Sequence, residues 1–470
     1  TPSAPQETSL IIPAVGHLDG INSRWRSDLR VANTGSARAS YLLIFTPEDP
    51  LRAVQQTTIT IDPRVTTALD DIVRNWYGVG SLGEASNGVL EIRPLEEVPT
   101  VASSRTFNAT ALGTLGQFIP AVPFRNFAGA GTVLGLQQIA QSSVFRTNAG
   151  VVEASGKPVD LLLSIWNTAG VKLSELPLSL RGGEQRQLNG LLAQQGITLD
   201  DGRIEVRVAG GEGKVTAYAS VIDGGTGDPL LVSGVPLGAT LSGKWVLPGV
   251  ADLDAGSARW RTDMRIFNPS ASAQPARLTF FPQNNVGTPI NADVTVGAGQ
   301  VLTLDNVVAS LFQGTNVGGA VHIATPADAA ASLVISARTF SLASTGSFGQ
   351  FIPAVTPAEA VGALEGNLEI LQVEDSVRYR MNLGVAEVTG QPATVEVLIT
   401  MPDSLATPVL TFTLAPNEFR QFAPIRELGL GNTYNARVTV RVIEGQGRVT
   451  AYGSVIDQLT QDPTYIPAQK

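Results

Sequence analysis

Cysteine is absent from all 470 residues, which excludes disulfides, thiolate metal sites and thiol nucleophiles. Such a chain fits a bacterial export route and argues against a disulfide-stapled ectodomain. Histidine is almost absent: only His17 and His322 occur, at non-equivalent positions, and no Ser-His-Asp arrangement, zinc motif or G-x-S-x-G elbow is legible. No catalytic constellation emerges, so an enzyme is not expected, and no cofactor is called for. Charged residues make up 16% of the chain, aromatics 6%, and no apolar run approaches the 18 residues of a membrane-spanning helix. The net charge of −9 leaves no Lys and Arg excess for phosphates or anionic lipid. Neither nucleic acid nor membrane insertion is expected.

What the chain has in plenty is Gly (48) and Pro (29), a turn-rich composition that favours many short strands. An apolar tetrapeptide built around proline punctuates it: Ile12-Pro13-Ala14-Val15, Ile119-Pro120-Ala121-Val122, Leu247-Pro248-Gly249-Val250, Ile352-Pro353-Ala354-Val355 and a closing Ile466-Pro467-Ala468. Longer phrases repeat as well. Trp25-Arg26-Ser27-Asp28-Leu29-Arg30-Val31 returns as Trp260-Arg261-Thr262-Asp263-Met264-Arg265-Ile266, and Val215-Thr216-Ala217-Tyr218 as Val449-Thr450-Ala451-Tyr452. The chain is therefore a duplicated two-part unit, A-B-A′-B′. The segments are A (1–118), B (119–246), A′ (247–351) and B′ (352–470).

Each segment repeats one pattern. Dense β-type runs such as Tyr41–Phe45, Leu161–Ile165, Leu278–Phe281 and Val395–Ile399 are followed by an alternating strand and then a helix-like patch such as Leu69–Val73. Six to eight short strands per segment predict an all-β chain of four tandem immunoglobulin-like β-sandwich domains. Gly210–Gly213 and Glu444–Gly447 read as tight hairpin loops. The junctions are short and apolar, which predicts stiffness. The opening Thr1-Pro2-Ser3-Ala4-Pro5 has the look of a mature chain after signal cleavage, and both ends are expected to be tied down.

Chemistry is sparse. In the Trp25 strand, Trp25, Ser27, Leu29 and Val31 share one face and Arg26, Asp28 and Arg30 the other, which predicts a core strand with paired charges outside. Asp223 and Asp228, echoed by Asp457 and Asp462, frame a loop and are weak candidates for Ca²⁺; turn capping is the simpler role, and no metal is expected.

The phrases Trp-Arg-Ser-Asp-Leu-Arg-Val and Val-Thr-Ala-Tyr-x-Ser-Val-Ile-Asp resemble those of uncharacterised secreted bacterial proteins made of tandem Ig-like repeats. That resemblance covers the whole chain, implies an extracellular or cell-surface location, and brings no active site with it. At the level of architecture such chains are similar to bacterial adhesins and filament subunits. The leading expectation is a structural subunit of an extracellular filament, a homopolymer joined head-to-tail by addition of a terminal strand to a neighbour's sheet. Leu10, Ile11, Ile12 and Pro13 at one end and Tyr465, Ile466 and Pro467 at the other are the candidate joint. The rival is a monomeric surface adhesin whose partners are surface glycans; it calls for exposed aromatic residues, with Trp76 and Trp166 the ones to examine.

Overall fold

A computed structural model of the chain describes residues 4–20, 23–77, 85–111, 113–256, 258–402 and 406–470. Thr1, Pro2 and Ser3 of the expected mature start lie outside the described residues. The protein is all-β, with six separate antiparallel sheets. The dense runs of the sequence lie in strands Ala39–Pro47, Val159–Asn167, Gln274–Pro282 and Ala393–Thr400. The helix-like patches form short helices at Ile72–Tyr77, Leu191–Gln194, Val307–Ser310 and Pro424–Glu427.

The chain falls into two compact units. The first comprises Thr1–Trp166, Lys172–Ile222 and Pro229–Pro236; the second comprises Asn167–Val171, Asp223–Asp228 and Leu237–Lys470.

In the first unit a nine-stranded sheet runs Gln55–Ile61, Ala39–Pro47, Ser86–Pro94, Leu10–Gly20, Ser23–Asn33, Thr100–Thr110 and Gly113–Pro120, with two short strands off this path. Strand Leu10–Gly20 links its two halves. It pairs first with Ser86–Pro94, and its end, Leu18–Gly20, turns into a hairpin with Ser23–Trp25. The register slips between Ile12 and Val15, so Pro13 sits in a bulge. A bulge bends a strand and leaves one residue unpaired, so the missing N–H of Pro costs little there. In the second unit the register of strand Lys244–Ala255 slips between Pro248 and Val250, and Gly249 takes φ +77°. At these two copies of the tetrapeptide the strand bends; at Pro120, Pro353 and Pro467 the pairing runs in regular register.

The residues just before one tetrapeptide pair with the end of the next. Leu10 and Ile11 pair with Pro123 and Val122, and Val246 bridges Val355. Near the other segment ends, Leu134 and Gly135 pair with Pro236 and Val235, and Glu369 bridges Gln469. Strand pairing therefore places 119–123 with the sheets of A, and 352–355 with those of A′.

The core of A gathers Ile12, Leu29, Leu43, Phe45, Leu90 and Ile119. A second cluster joins A to B through Ile11, Phe124, Phe127, Val152 and Tyr218. In the second unit one cluster runs unbroken from Leu247 and Phe280 to Phe419, Tyr452 and Tyr465. Each such side chain contributes about 1.5–3 kcal/mol when fully buried, which holds the segments of each unit together.

Two expectations need amending. The Gly-rich stretches at 210–213 and 444–447 are not hairpin turns, because the strands that they join belong to different sheets. Gly211 is needed there because at φ +88° a Cβ would lie 2.5 Å from the carbonyl oxygen of Pro158. The charges of the Trp25 strand do pair, but with neighbours across the fold. Arg26 reaches Asp19 and Asp71, the buried Arg30 reaches Asp70, and Asp28 accepts the N–H of Asp71.

Candidate functional site

Each unit carries a cleft between its two segments, of about 350 Å³ in the first and about 460 Å³ in the second. Both fall in the size range of ligand sites. They are lined by equivalent residues. Trp25 and Trp260 are each third on their strands, Ser23–Asn33 and Ala258–Phe267. Arg146 and Asn148 are second and fourth on Phe145–Glu153; Arg380 and Asn382 hold the same places on Tyr379–Glu387. Alternation puts such i, i+2 pairs on one face. Gln117, Gln187 and Ser220 complete the first set, and Gln350, Gln421 and Ser454 the second.

Several of these residues have structural work. The hydroxyl of Ser220 donates to Gln117 Oε1 at 3.1 Å, and Ser454 donates to Gln350 Oε1 at the same distance. Tyr218 donates to Gln187 Oε1 at 2.5 Å and accepts from Gln185 at 2.9 Å, while Tyr452 donates to Gln421 at 2.6 Å. Burial raises both phenols far above their ordinary pKa, so they stay protonated donors. Their rings press on glycines: a Cβ on Gly150 would lie 2.1 Å from Tyr218, and one on Gly384 2.2 Å from Tyr452. Asn148 Oδ1 accepts the N–H of Gly190 at 2.9 Å.

Trp25, Trp260, Arg146 and Arg380 are different. The two tryptophans and Arg380 are half-buried and Arg146 is exposed. Among the described residues neither arginine has an ion pair; Arg380 Nη1 donates to Gln461 Oε1 at 3.2 Å. Neither indole N–H has a partner among the described residues. Beside the arginines the flanking residues have partly diverged, Thr147 against Met381 and Ala149 against Leu383, whereas both tryptophans keep arginine on either side, Arg24 and Arg26 against Arg259 and Arg261.

The residues expected to form a joint are occupied at home. Leu10, Ile11 and Ile12 pair with Ile92, Glu91 and Leu90, and Pro13 lies in the bulge. Tyr465, Ile466 and Pro467 pair with Ser454, Gly453 and Tyr452. Ile11, Ile12 and Ile466 are at most 1% exposed.

The four aspartates all lie in the second unit, without a shared cage. Asp223 caps its turn through the N–H groups of Gly225 and Thr226, and its other oxygen takes Ser347 N and Oγ at 2.9 and 2.7 Å. Asp457 accepts from Leu459 N and from Arg378. Asp228 accepts from Gly349 N at 2.7 Å, and burial, reinforced by the adjacent Asp462, pushes its carboxyl well above the usual range. No group of three or more His, Asp or Glu able to hold a metal occurs among the described residues.

Trp76, 41% exposed, and Trp166, which carries Arg203 and Lys172 over its ring at 4.9 and 5.3 Å, have Leu311 and Thr400 in their places in the other half. The cleft residues were missed in the sequence because Trp25 and Trp260 read as core. The Arg-x-Asn shared by 146–148 and 380–382 was the available signal, and the same strands also share Gly150 and Gly384 and Glu153 and Glu387.

No family model matches the chain, and no curated protein matches it in sequence. Among solved structures, an α-L-rhamnosidase of Streptomyces avermitilis complexed with L-rhamnose is matched at 8% identity, over 96% of this chain and 57% of that one. The chain thus spans little more than half of that enzyme's length. The TM-score is 0.12, and a likeness of that size carries no argument about fold or activity.

Proposed function

We propose that this protein is an extracellular, adhesin-type binding protein that takes glycan in its two equivalent clefts. The observation that carries this reading is the retention of Trp and Arg at both clefts without, among the described residues, a side-chain hydrogen bond or ion pair common to the two copies. A half-buried indole offers a flat apolar face to a sugar ring, and the surrounding amides and hydroxyls suit a ligand rich in hydroxyl groups. An extended peptide fits less well, since it would seek main-chain partners. The N–H of Gln187, on the short edge strand at the first cleft, is already taken by Glu48 at 2.9 Å. Acid–base chemistry shared by both clefts is not supported either, because Glu48 is replaced by Gln283. Glycan-array binding by the full chain, lost in the Trp25→Ala/Trp260→Ala double variant, is the expected result. Undiminished binding by that variant would sink the reading.

The filament reading stays as a second proposal, on a different footing. Joining subunits through Leu10–Pro13 or Tyr465–Pro467 requires those strands to leave their own sheets. Edge strands recur at the same place in all four segments (Gln55–Ile61, Lys172–Leu180, Ile290–Val296 and Val409–Leu414), and Leu173, Ile290 and Val409 on them are about 40% exposed. Such edges are templates for strand addition. Electron microscopy of the secreted protein showing only dispersed monomers would dismiss this second reading.

A further inference from the structure

We infer that the glycan bound in the two clefts is acidic: a sugar whose anionic group meets Arg146 or Arg380 while its ring lies against Trp25 or Trp260. This rests on the glycan reading and narrows it. The argument is one of charge. The chain has 41 acidic side chains against 32 Lys and Arg, so carboxylate partners are abundant. Even so, among the described residues the guanidinium at this position has no ion pair in either unit.

The second cleft sharpens the point. Among the described residues its lining contains no Asp or Glu, the Glu48 position being Gln283. Arg380 is half-buried there, and burial first, then the nearby Arg426, disfavour its charge. A guanidinium placed in such a site without a counter-charge is costly, and an incoming carboxylate or sulfate would relieve that cost. Arginine's planar fork suits either oxyanion in bidentate fashion. The adjoining indole supplies the apolar contact, so the ligand combines a ring with an anionic group.

The test uses the full chain on an array of neutral, carboxylated and sulfated oligosaccharides. It is followed by titration with hexagalacturonic acid and with its methyl ester, which keeps the ring and removes the charge. Acidic glycans should be preferred, and the acid should bind at least about tenfold more tightly than the ester, as a charge-assisted hydrogen-bond pair requires. Arg146→Gln/Arg380→Gln should erase that preference, bringing the acid and the ester to equal affinity. Sulfated sugars binding in place of carboxylated ones would keep the inference and identify the anion. Binding confined to neutral sugars, or equal affinity for acid and ester, would overturn it while the glycan reading stands. If no glycan of any kind binds, both fall.

Discussion

The two clefts hold their segments together by different chemistry at one point and the same chemistry at another. In the first unit Glu48 accepts the N–H of Gln187 and the amide of Asn87. In the second, Gln283 donates its amide to the carbonyl oxygen of Gln421. The strap is kept while its polarity is reversed. At the neighbouring position Gln185, bonded to Tyr218, gives way to Phe419, stacked on Tyr452 at 6.4 Å. A structural contact can thus be rebuilt when both sides change. Trp25 and Arg146 were not rebuilt, which is why they and their counterparts are the proposed ligand contacts.

The largest effect is expected where the two units agree. Gly150→Ala and Gly384→Ala each push a Cβ into a fixed tyrosine ring and should destabilise their own unit by about 3 kcal/mol. Urea unfolding with hydrogen exchange read separately in each unit would measure this; a loss in only one of them would break the equivalence. The next effect tests the reversed strap. Gln283→Glu sets a carboxylate against the carbonyl of Gln421 and should cost about 2 kcal/mol. Glu48→Gln retains an acceptor for Gln187 N and loses only the Asn87 contact, at about 1 kcal/mol. Equal losses would contradict the reversal.

The smallest effect is a slope with pH in the second unit. Asp228 is buried beside Asp462, with Arg338 and Asp223 near it. Its raised pKa means that the folded state holds the proton more tightly than the unfolded state does. Its contribution is therefore complete below the ordinary carboxylate pKa and is lost as pH rises from there. His322 acts in the opposite sense. Burial, helped by Lys244, pulls it down to about 3, so its contribution is present above about 6.5 and is lost as pH falls toward 3. The stability of Asp228→Asn relative to the parent should accordingly rise between pH 4 and 8, whereas His322→Gln should flatten the acid-side loss. A difference between Asp228→Asn and the parent that does not change with pH would remove Asp228 from the account.

The pair at His322 shows why such details are hard to read from sequence. Its counterpart by strand position is Glu91, which forms a buried ion pair with Arg93 and accepts from Ser9 at 2.7 Å. Arg93 lies two residues along the same strand, but Ser9, 82 residues away in sequence, reaches Glu91 only through the fold. The strands themselves were legible, since alternation in stretches such as Gln55–Ile61 records one buried and one wet face. The bulge at Pro13 was visible only as a repeated word. Its meaning needed the register against Ser86–Pro94.

By itself the sequence determined the duplication, the all-β class and the absence of thiol chemistry, because periodicity, repetition and composition are local properties. The tertiary structure alone decided that the tetrapeptides at Pro13 and Pro248 bend their strands, and that Trp25 and Trp260 stand in clefts. Those outcomes depend on which distant strands pair and which faces meet, and the period-two pattern of a strand does not encode its neighbour.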